Sequence, residues 1–256
     1  MADYDLLGNI AIIKSEGKTK KQKLKQAEEI LKKQGVESVY EKTSNVKGRL
    51  RTINAKWIAG KKNLIADYKE NGCFFRFDIS SCYFSPRLAN ERQKISSMIK
   101  MKDRVLVMFA GVGVYPIVIY KYSHPRKITG IELGKDCCKW FKENLMLNKI
   151  PKGKIEIVQG DVKKKVNSSL GKFDVVIMAR PNLRESFLKW GLMACRRGSL
   201  LIYYGFCKDD EVKKLTEDLV KEACNYRRKI KINKIVQAGE IAPYKHRWRV
   251  EMNVEN

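Results

Sequence analysis

Val105-Leu-Val-Met-Phe-Ala-Gly-Val-Gly113 decides the fold of this 256-residue chain. The apolar run Val105–Phe109 has the length of one buried strand, and the glycines at 111 and 113 predict a tight turn into a helix. Nineteen residues after Gly113 a second run, Lys127-Ile-Thr-Gly-Ile, ends in Glu132. Strand, glycine turn, helix, strand and carboxylate, in that order, are how a doubly wound α/β sheet holds a nucleoside. A dinucleotide wants G-x-G-x-x-G, and Pro116 stands where the third glycine would make room for a pyrophosphate.

Two further features fall at the carboxyl ends of later strands, where open α/β sheets bind ligands. Gly160-Asp161-Val162 follows the third strand, and an Asp there can accept from an adenine amine. The strand 173–178 ends at Ala179-Arg-Pro181, a loop that would face the reactive end of the ligand. Phe109, Gly111, Gly113, Glu132, Asp161 and Pro181 together favour a mononucleoside cofactor such as S-adenosyl-L-methionine. The glycines are expected to let the backbone approach it.

Outward from this core, strands are expected at 105–109, 127–131, 154–158, 173–178 and 199–206. Helices are expected at 114–122, 135–147, 182–196 and 209–224. Such alternation predicts an α/β fold with a mostly parallel sheet. A last pair, 228–237 and 245–254 around Pro243, closes as an antiparallel terminal hairpin at one edge. Ser85-Pro86 reads as a helix start, a hydroxyl cap before a proline, with the helix running to about Ile99. Before it the pattern differs. Strands at 8–14 and 36–40, a helix from Lys18 to Gln34, a hairpin joining Val46–Ala59 to Asn63–Tyr68 across Gly60-Lys-Lys, and a strand at 72–79 make a small α+β unit. The expected division is therefore 1–80 and 81–256.

Lys and Arg number 53 against 28 Asp and Glu, a formal net charge of +25. That excess favours a polyanion, most simply nucleic acid. The 18–34 helix sets Leu24, Ala27, Ile30 and Leu31 on one face and Lys20, Lys21, Lys23, Lys25, Lys32 and Lys33 on the other. It is read equally as a solvated face or a phosphate-tracking one. Tyr244-Lys-His-Arg-Trp-Arg249 suits phosphate contact with base stacking, or else an edge strand with alternating core aromatics. The basic segments lack a joined apolar face, so a membrane surface is disfavoured. The longest apolar runs are strand-length, and no leader or membrane span is read. The seven cysteines form no C-x-x-C pair and only two histidines exist, so neither a metal site nor a disulfide framework is expected. Buried thiols of a cytoplasmic protein are.

Phe77-Asp-Ile-Ser-Ser-Cys-Tyr-Phe-Ser-Pro-Arg-Leu-Ala-Asn-Glu-Arg92, with Met108-Phe-Ala-Gly-Val-Gly113 after it, resembles the archaeal/eukaryotic tRNA (guanine-37-N1)-methyltransferase family. Glu37-Ser-Val-Tyr-x-Lys-Thr-Ser and Glu70-Asn-Gly-Cys-x-Phe share the likeness. It covers nearly the whole chain, without the extra amino-terminal tRNA-binding domain of many members. The resemblance implies a class I S-adenosylmethionine-dependent methyltransferase fold and methyl transfer to the base 3′ of the tRNA anticodon, in the anticodon stem-loop. By motif match it implies Glu91 as general base for guanine N1 and Arg51, in Gly48-Arg-Leu-Arg-Thr, as donor to O6. It also implies Ser85, Arg92, Glu132, Leu133, Asp161 and Val162 as cofactor contacts.

The chemistry asks for the same groups. Guanine N1 carries a proton, and removing it puts charge on O6, so a carboxylate and a guanidinium are complementary needs. On the residues alone, Arg87 and Glu91 are also spaced for an ordinary helix-surface pair, and Arg51 for a phosphate contact. Two departures point to a variant subgroup: Ala179-Arg180-Pro181 replaces the family's Asn-x-Pro loop, and Val107 lies where an acid often ends the first strand. Relatives in the wyosine pathway, which methylate C7 of 4-demethylwyosine at position 37, are the natural subgroup. Relatives that transfer an aminocarboxypropyl group fit less well, because Pro-Arg-Leu follows Ser85. A non-catalytic RNA-binding protein on the same fold is the competing class. A monomer is expected.

Overall fold

The structure, a computed structural model, describes residues 4–14, 17–43, 53–180 and 182–256. Short apolar strands and one basic helix come first: β1 (Tyr4–Leu7), β2 (Ile10–Ile13), α1 (Lys20–Leu31), β3 (Ser38–Lys42) and β4 (Ala55–Gly60). Among the described residues these strands form a four-stranded sheet in the order β1-β2-β3-β4. Thr19 starts α1. Its hydroxyl accepts from the Gln22 N–H at 3.3 Å, and the Gln22 side chain accepts from the Thr19 N–H at 2.8 Å, a reciprocal cap. The helix lays Ala27 and Ile30 on the sheet beside Ile13, Val39 and Ala59. Lys20, Lys21, Lys25, Lys32 and Lys33 stay exposed, while Lys23 pairs with Glu41 at 2.6 Å.

The expected hairpin across Gly60-Lys-Lys does not form. Residues 46–52 of it lie outside the described residues, and β4 pairs with β3. The hairpin is instead β5 (Ile65–Glu70) with β6 (Cys73–Asp78), turning at Asn71-Gly72. Both turn residues have positive φ, 48° and 64°. Asn-Gly takes that conformation readily, so it outcompetes Gly-Lys-Lys as a two-residue turn.

A short 3-10 turn, Pro86–Leu88, leads into α2 (Ala89–Ser96). Then follow β7 (Arg104–Met108), α3 (Val114–Ser123), β8 (Lys127–Glu132), α4 (Lys135–Leu147), β9 (Ile155–Gln159), α5 (Val162–Lys165) and β10 (Phe173–Met178). The chain ends with α6 (Leu188–Ala194), β11 (Cys195–Lys208), α7 (Val212–Asn225), β12 (Ile230–Ala242) and β13 (Lys245–Val254). The second sheet runs β12-β13-β11-β10-β7-β8-β9. Strands β7 to β11 are mutually parallel. Val105, Leu106, Val107 and Met108 are fully buried because helices cover both faces. The order reverses at β7, as in doubly wound folds, and the crevice beyond its carboxyl end is where such sheets bind ligands.

The terminal pair is not a simple edge hairpin. Strand β13 inserts between β11 and β12, antiparallel to both, and β12 becomes the edge. Burial decides this order: β13 buries Val250, Met252 and Val254, whereas β12 exposes Lys231 and Lys234 in the manner of an edge strand. The helix expected over 182–196 forms only from Leu188, after Phe187 at φ 59° interrupts the chain, and β11 begins already at Cys195.

The β5–β6 hairpin is bonded to α4. Asn144 accepts from the Arg76 N–H at 2.7 Å, and Asn148 accepts from the Phe74 N–H at 2.9 Å. Phe75 and Phe77 share one core with Val105, Val107 and Phe141. Among the described residues no helix is long and apolar enough to cross a membrane.

Candidate active site

The turn after β7 uses its two glycines differently. Gly111, at φ 57°, borders open space, and a Cβ there would meet nothing closer than the Tyr83 carbonyl oxygen at 4.0 Å. Gly113, at φ 88°, lies under the Phe141 ring of α4, and a Cβ would fall 2.0 Å from its Cδ2. Gly111 therefore opens the backbone to a ligand, while Gly113 permits packing of the helix behind it. Phe109, at φ 62°, and Phe187, at φ 59°, are non-glycine residues in the left-handed region. Their rings meet edge to face at 5.1 Å on one wall; such strain persists only where packing over-determines it.

Glu132 closes the floor. Gly111 N–H donates to its Oε2 at 2.8 Å and Gly134 N–H to its Oε1 at 2.7 Å. Burial pushes this carboxyl up from its ordinary value, and the backbone donors pull the other way. The carboxylate retains acceptor capacity for a further donor such as a sugar hydroxyl. Asp161 caps α5 by accepting from the Lys163 N–H at 3.0 Å and also borders the cleft. The cleft holds about 940 Å³ of atom-free space, part of it open to solvent, with Ile131, Leu133 and Val162 as apolar walls. A diol-facing acid, a second acid for an amine and flat apolar walls fit a nucleoside.

The second acid cluster sits on α2. Pro86 begins the 3-10 turn as the sequence predicts, but Ser85 makes no side-chain cap bond. Arg87 pairs with Asp5 at 2.7 Å, not with Glu91. Glu91 is buried, and both its oxygens accept from Arg249 Nη1 at 2.7 Å. Tyr204, a wall of the cleft, donates its hydroxyl to Glu91 Oε1 at 2.7 Å. A buried carboxylate thus meets the cleft through a tyrosine.

The TRM5/TYW2 methyltransferase domain family matches residues 66–233. This chain belongs to that family. Trm5b of Pyrococcus abyssi, a tRNA (guanine(37)-N(1))-methyltransferase, is 31% identical over 204 residues, 79% of this chain and 59% of that one. Taw22 of Nanoarchaeum equitans, a tRNA (guanine(37)-N(1))/4-demethylwyosine(37)-methyltransferase, is 37% identical over 148 residues, 57% of this chain and 48% of the relative. The crystal structure of Methanocaldococcus jannaschii Trm5 in complex with adenosine matches with a TM-score of 0.83 at 26% identity, over 100% of this chain and 75% of that one. The chain spans about three fifths of the length of the first curated relatives it matches, 59% and 62%.

In this TRM5/TYW2-type chain the structure gathers Phe109, Gly111, Glu132, Leu133, Asp161 and Val162 around one cleft. It places Ser85, Glu91, Arg92 and Gly113 outside the cleft lining, Glu91 directly behind Tyr204. Arg92 is buried with its guanidinium on Glu70, through Nε at 2.5 Å and through Nη2, and Nη2 also donates to the Ser85 carbonyl at 3.0 Å. It clamps the strand before the site to the helix that carries Glu91. Arg51 and Pro181 lie outside the described residues.

Ala179, where the family's Asn would stand, borders the cleft, and so does the buried Arg180 after it. Arg180 donates to the carbonyls of Leu183 and Glu185 at 2.6 Å and of Tyr204 at 3.2 Å. It thereby pins residues 183–185 to β11, and this takes over the length in which a longer helix was expected. Burial pulls its basicity down from the ordinary value.

Tyr204, Arg247, Arg249, Tyr83 and Phe187 escaped sequence reasoning. The Tyr244–Arg249 run carried the signal: alternate residues of a strand share a face, so Arg247 and Arg249 point the same way. Arg247 borders the cleft and Arg249 is buried on Glu91, so Arg249 is not a free phosphate contact. Cys137 also borders the cleft, its Sγ 2.7 Å from that of Cys82. The contact with Cys82 and burial push its thiol far up, which makes it an inert wall.

Proposed function

We propose that this chain methylates N1 of guanosine at tRNA position 37, using S-adenosyl-L-methionine. One observation carries the reading: a cleft with Glu132 on its floor and Asp161 at its edge adjoins a buried carboxylate, Glu91, bonded to the cleft wall. When bound, the cofactor supplies an electrophilic methyl group. Glu132 and Asp161 hold its nucleoside, Gly111 gives it room, and the Phe109–Phe187 wall excludes water. Glu91 takes the N1 proton of the guanine, which makes N1 nucleophilic, and a positioned base of this kind contributes about 10²–10⁴-fold. Arg51, on sequence grounds alone, meets the charge left on O6. The target base must leave the anticodon-loop stack to reach the cleft.

Residues 1–80, with the exposed lysines of α1, are the proposed RNA-facing unit, and 81–256 the methyltransferase domain. The anticodon stem-loop of tRNA is the partner, held largely through salt-sensitive phosphate contacts. The chain acts as a cytoplasmic monomer, and its seven cysteines are free thiols, five of them buried.

The likeness to Taw22 supports a second reading, in which C7 of 4-demethylwyosine is methylated in place of, or besides, guanine N1. Nucleoside mass spectrometry separates these. tRNA-Phe transcripts, with and without the tricyclic precursor, are incubated with the chain and the cofactor. 1-Methylguanosine is the expected product. A methylated tricycle alone moves the reading to the second target. Cofactor binding without any methylated nucleoside overturns both and leaves an RNA-binding protein on a methyltransferase fold.

A further inference from the structure

Glu91 is tied to strands far from it in sequence. Arg249, 158 residues away on β13, bonds both its oxygens, and Tyr204, 113 residues away on β11, bonds Oε1. Tyr115 of α3 donates to the Tyr204 hydroxyl at 3.1 Å. Arg249 is itself fixed at a second point, since its Nε donates to Glu251 at 2.8 Å. Exposure is 6% for Glu91 and 2% for both Arg249 and Tyr204. Such a network is costly to bury unless each member is satisfied, and once satisfied it holds its members rigid.

We propose that Arg249 and Tyr204 are positioning residues for Glu91, fixing its carboxylate so that Oε2 is the oxygen that takes the substrate proton. The assignment rests on Glu91 being the base. Among the described residues Oε1 accepts from two donors, Arg249 and Tyr204, and so has no lone pair left, whereas Oε2 accepts from Arg249 alone and keeps one. Tyr204 has its own proton directed at Oε1 and its oxygen occupied by Tyr115, so it orients the acid and gives up nothing. The proton passes from guanine N1 to Oε2, and the electron pair stays on N1. The other charged and titratable groups around this network are Arg92 on α2, Tyr115 on α3, and Arg247 and Glu251 on β13.

The test uses the full chain with tRNA and S-adenosyl-L-methionine, and follows kcat and both KM values. Tyr204→Phe keeps the ring and the ion pair, and should lower kcat about tenfold, the scale of one hydrogen bond to a charged group. Arg249→Met should lower it further, because it removes the contact that holds both carboxylate oxygens. Arg249→Lys should restore part of the loss. Both KM values should stay within about twofold, since the lost interaction acts on the chemical step. In a Glu91→Gln background neither change should lower turnover further, because residues that act as a unit are not additive. Wild-type kcat in both Tyr204→Phe and Arg249→Met would make the network an inert core pair. If Arg249→Met does not fold, an unchanged Tyr204→Phe decides against the assignment alone. Loss of turnover through Tyr204→Phe with Glu91→Gln still active would overturn it as well. A wild-type chain inactive on every position-37 substrate fails the functional reading first, and shows it before any variant is made.

Discussion

Two carboxylates, Glu132 lining the cleft and Glu91 bonded to its Tyr204 wall, are held in opposite ways. Glu132 is fixed by backbone N–H groups of Gly111 and Gly134, within 21 residues of it in sequence. Glu91 is fixed by the side chains of Arg249 and Tyr204, from strands more than 100 residues away. Backbone donors carry no net charge and are fixed by the turn itself, so they suit an acid whose proposed task is to hold a ligand in one place. A guanidinium and a phenol hydroxyl from distant strands fix the direction of a buried carboxylate, which suits an acid proposed to take a proton. The contrast separates binding from proton transfer, and each prediction below bears on it.

The largest effect is expected at Glu91. Glu91→Gln should cut single-turnover methyl transfer by about 10²–10⁴-fold, while calorimetry finds cofactor affinity nearly unchanged. Retained turnover would reduce Glu91 to a partner of Arg249 and erase the distinction. Glu132→Ala should do the converse. Its cofactor dissociation constant should rise about 10- to 100-fold, the scale of one or two hydrogen bonds to a charged group, with much of kcat recovered at saturating cofactor. Equal losses in kcat and affinity at both acids would collapse the two roles into one.

The two glycines sharpen the binding side. Gly113→Ala drives a methyl into the Phe141 ring and should destabilise the fold by about 1–3 kcal/mol, read as a lower Tm. Gly111→Ala meets open space but strains a residue at φ 57°, at a cost of about 1–2 kcal/mol, and its larger signature should be weaker cofactor binding. Thermal melts with and without cofactor tell the two apart. A Gly113→Ala chain that melts normally and binds poorly would restore both glycines to the ligand.

The smallest effect is a pH dependence of binding. The Glu132 carboxyl lies above its ordinary 4.5, so the folded chain holds this proton more readily than the unfolded one. Its contribution to stability is therefore full below the unfolded value and is lost as pH rises through the folded one. Cofactor affinity runs the other way: the ionised acid accepts from a diol, so affinity should rise as pH climbs through that same range above 4.5. Calorimetric titrations across this window should show the slope in the native chain and none in Glu132→Gln. A slope that persists in the variant belongs to another group.

The binding half of the site was far more legible in the sequence than the catalytic half. Gly111, Glu132 and Asp161 stand at the ends of successive apolar runs, and parallel pairing of β7, β8 and β9 brings those ends together without further information. The packing constraint on Gly113 comes from Phe141, a contact across two helices that spacing does not reveal. The hairpin at residues 61–62 was misplaced because a Gly-Lys-Lys turn was preferred to Asn71-Gly72, whose two positive φ values are the stronger local signal.

What the sequence by itself determined was the α/β class and the ligand-facing floor. Both follow from periodicity and turn chemistry acting over a few tens of residues. Only the tertiary structure decided that β13 inserts between β11 and β12 and so carries Arg249 onto Glu91. Arg249 and Glu91 each read, along the chain, as surface charges on regular elements. Their meeting depends on which face each strand buries, and that is settled by packing over the whole sheet.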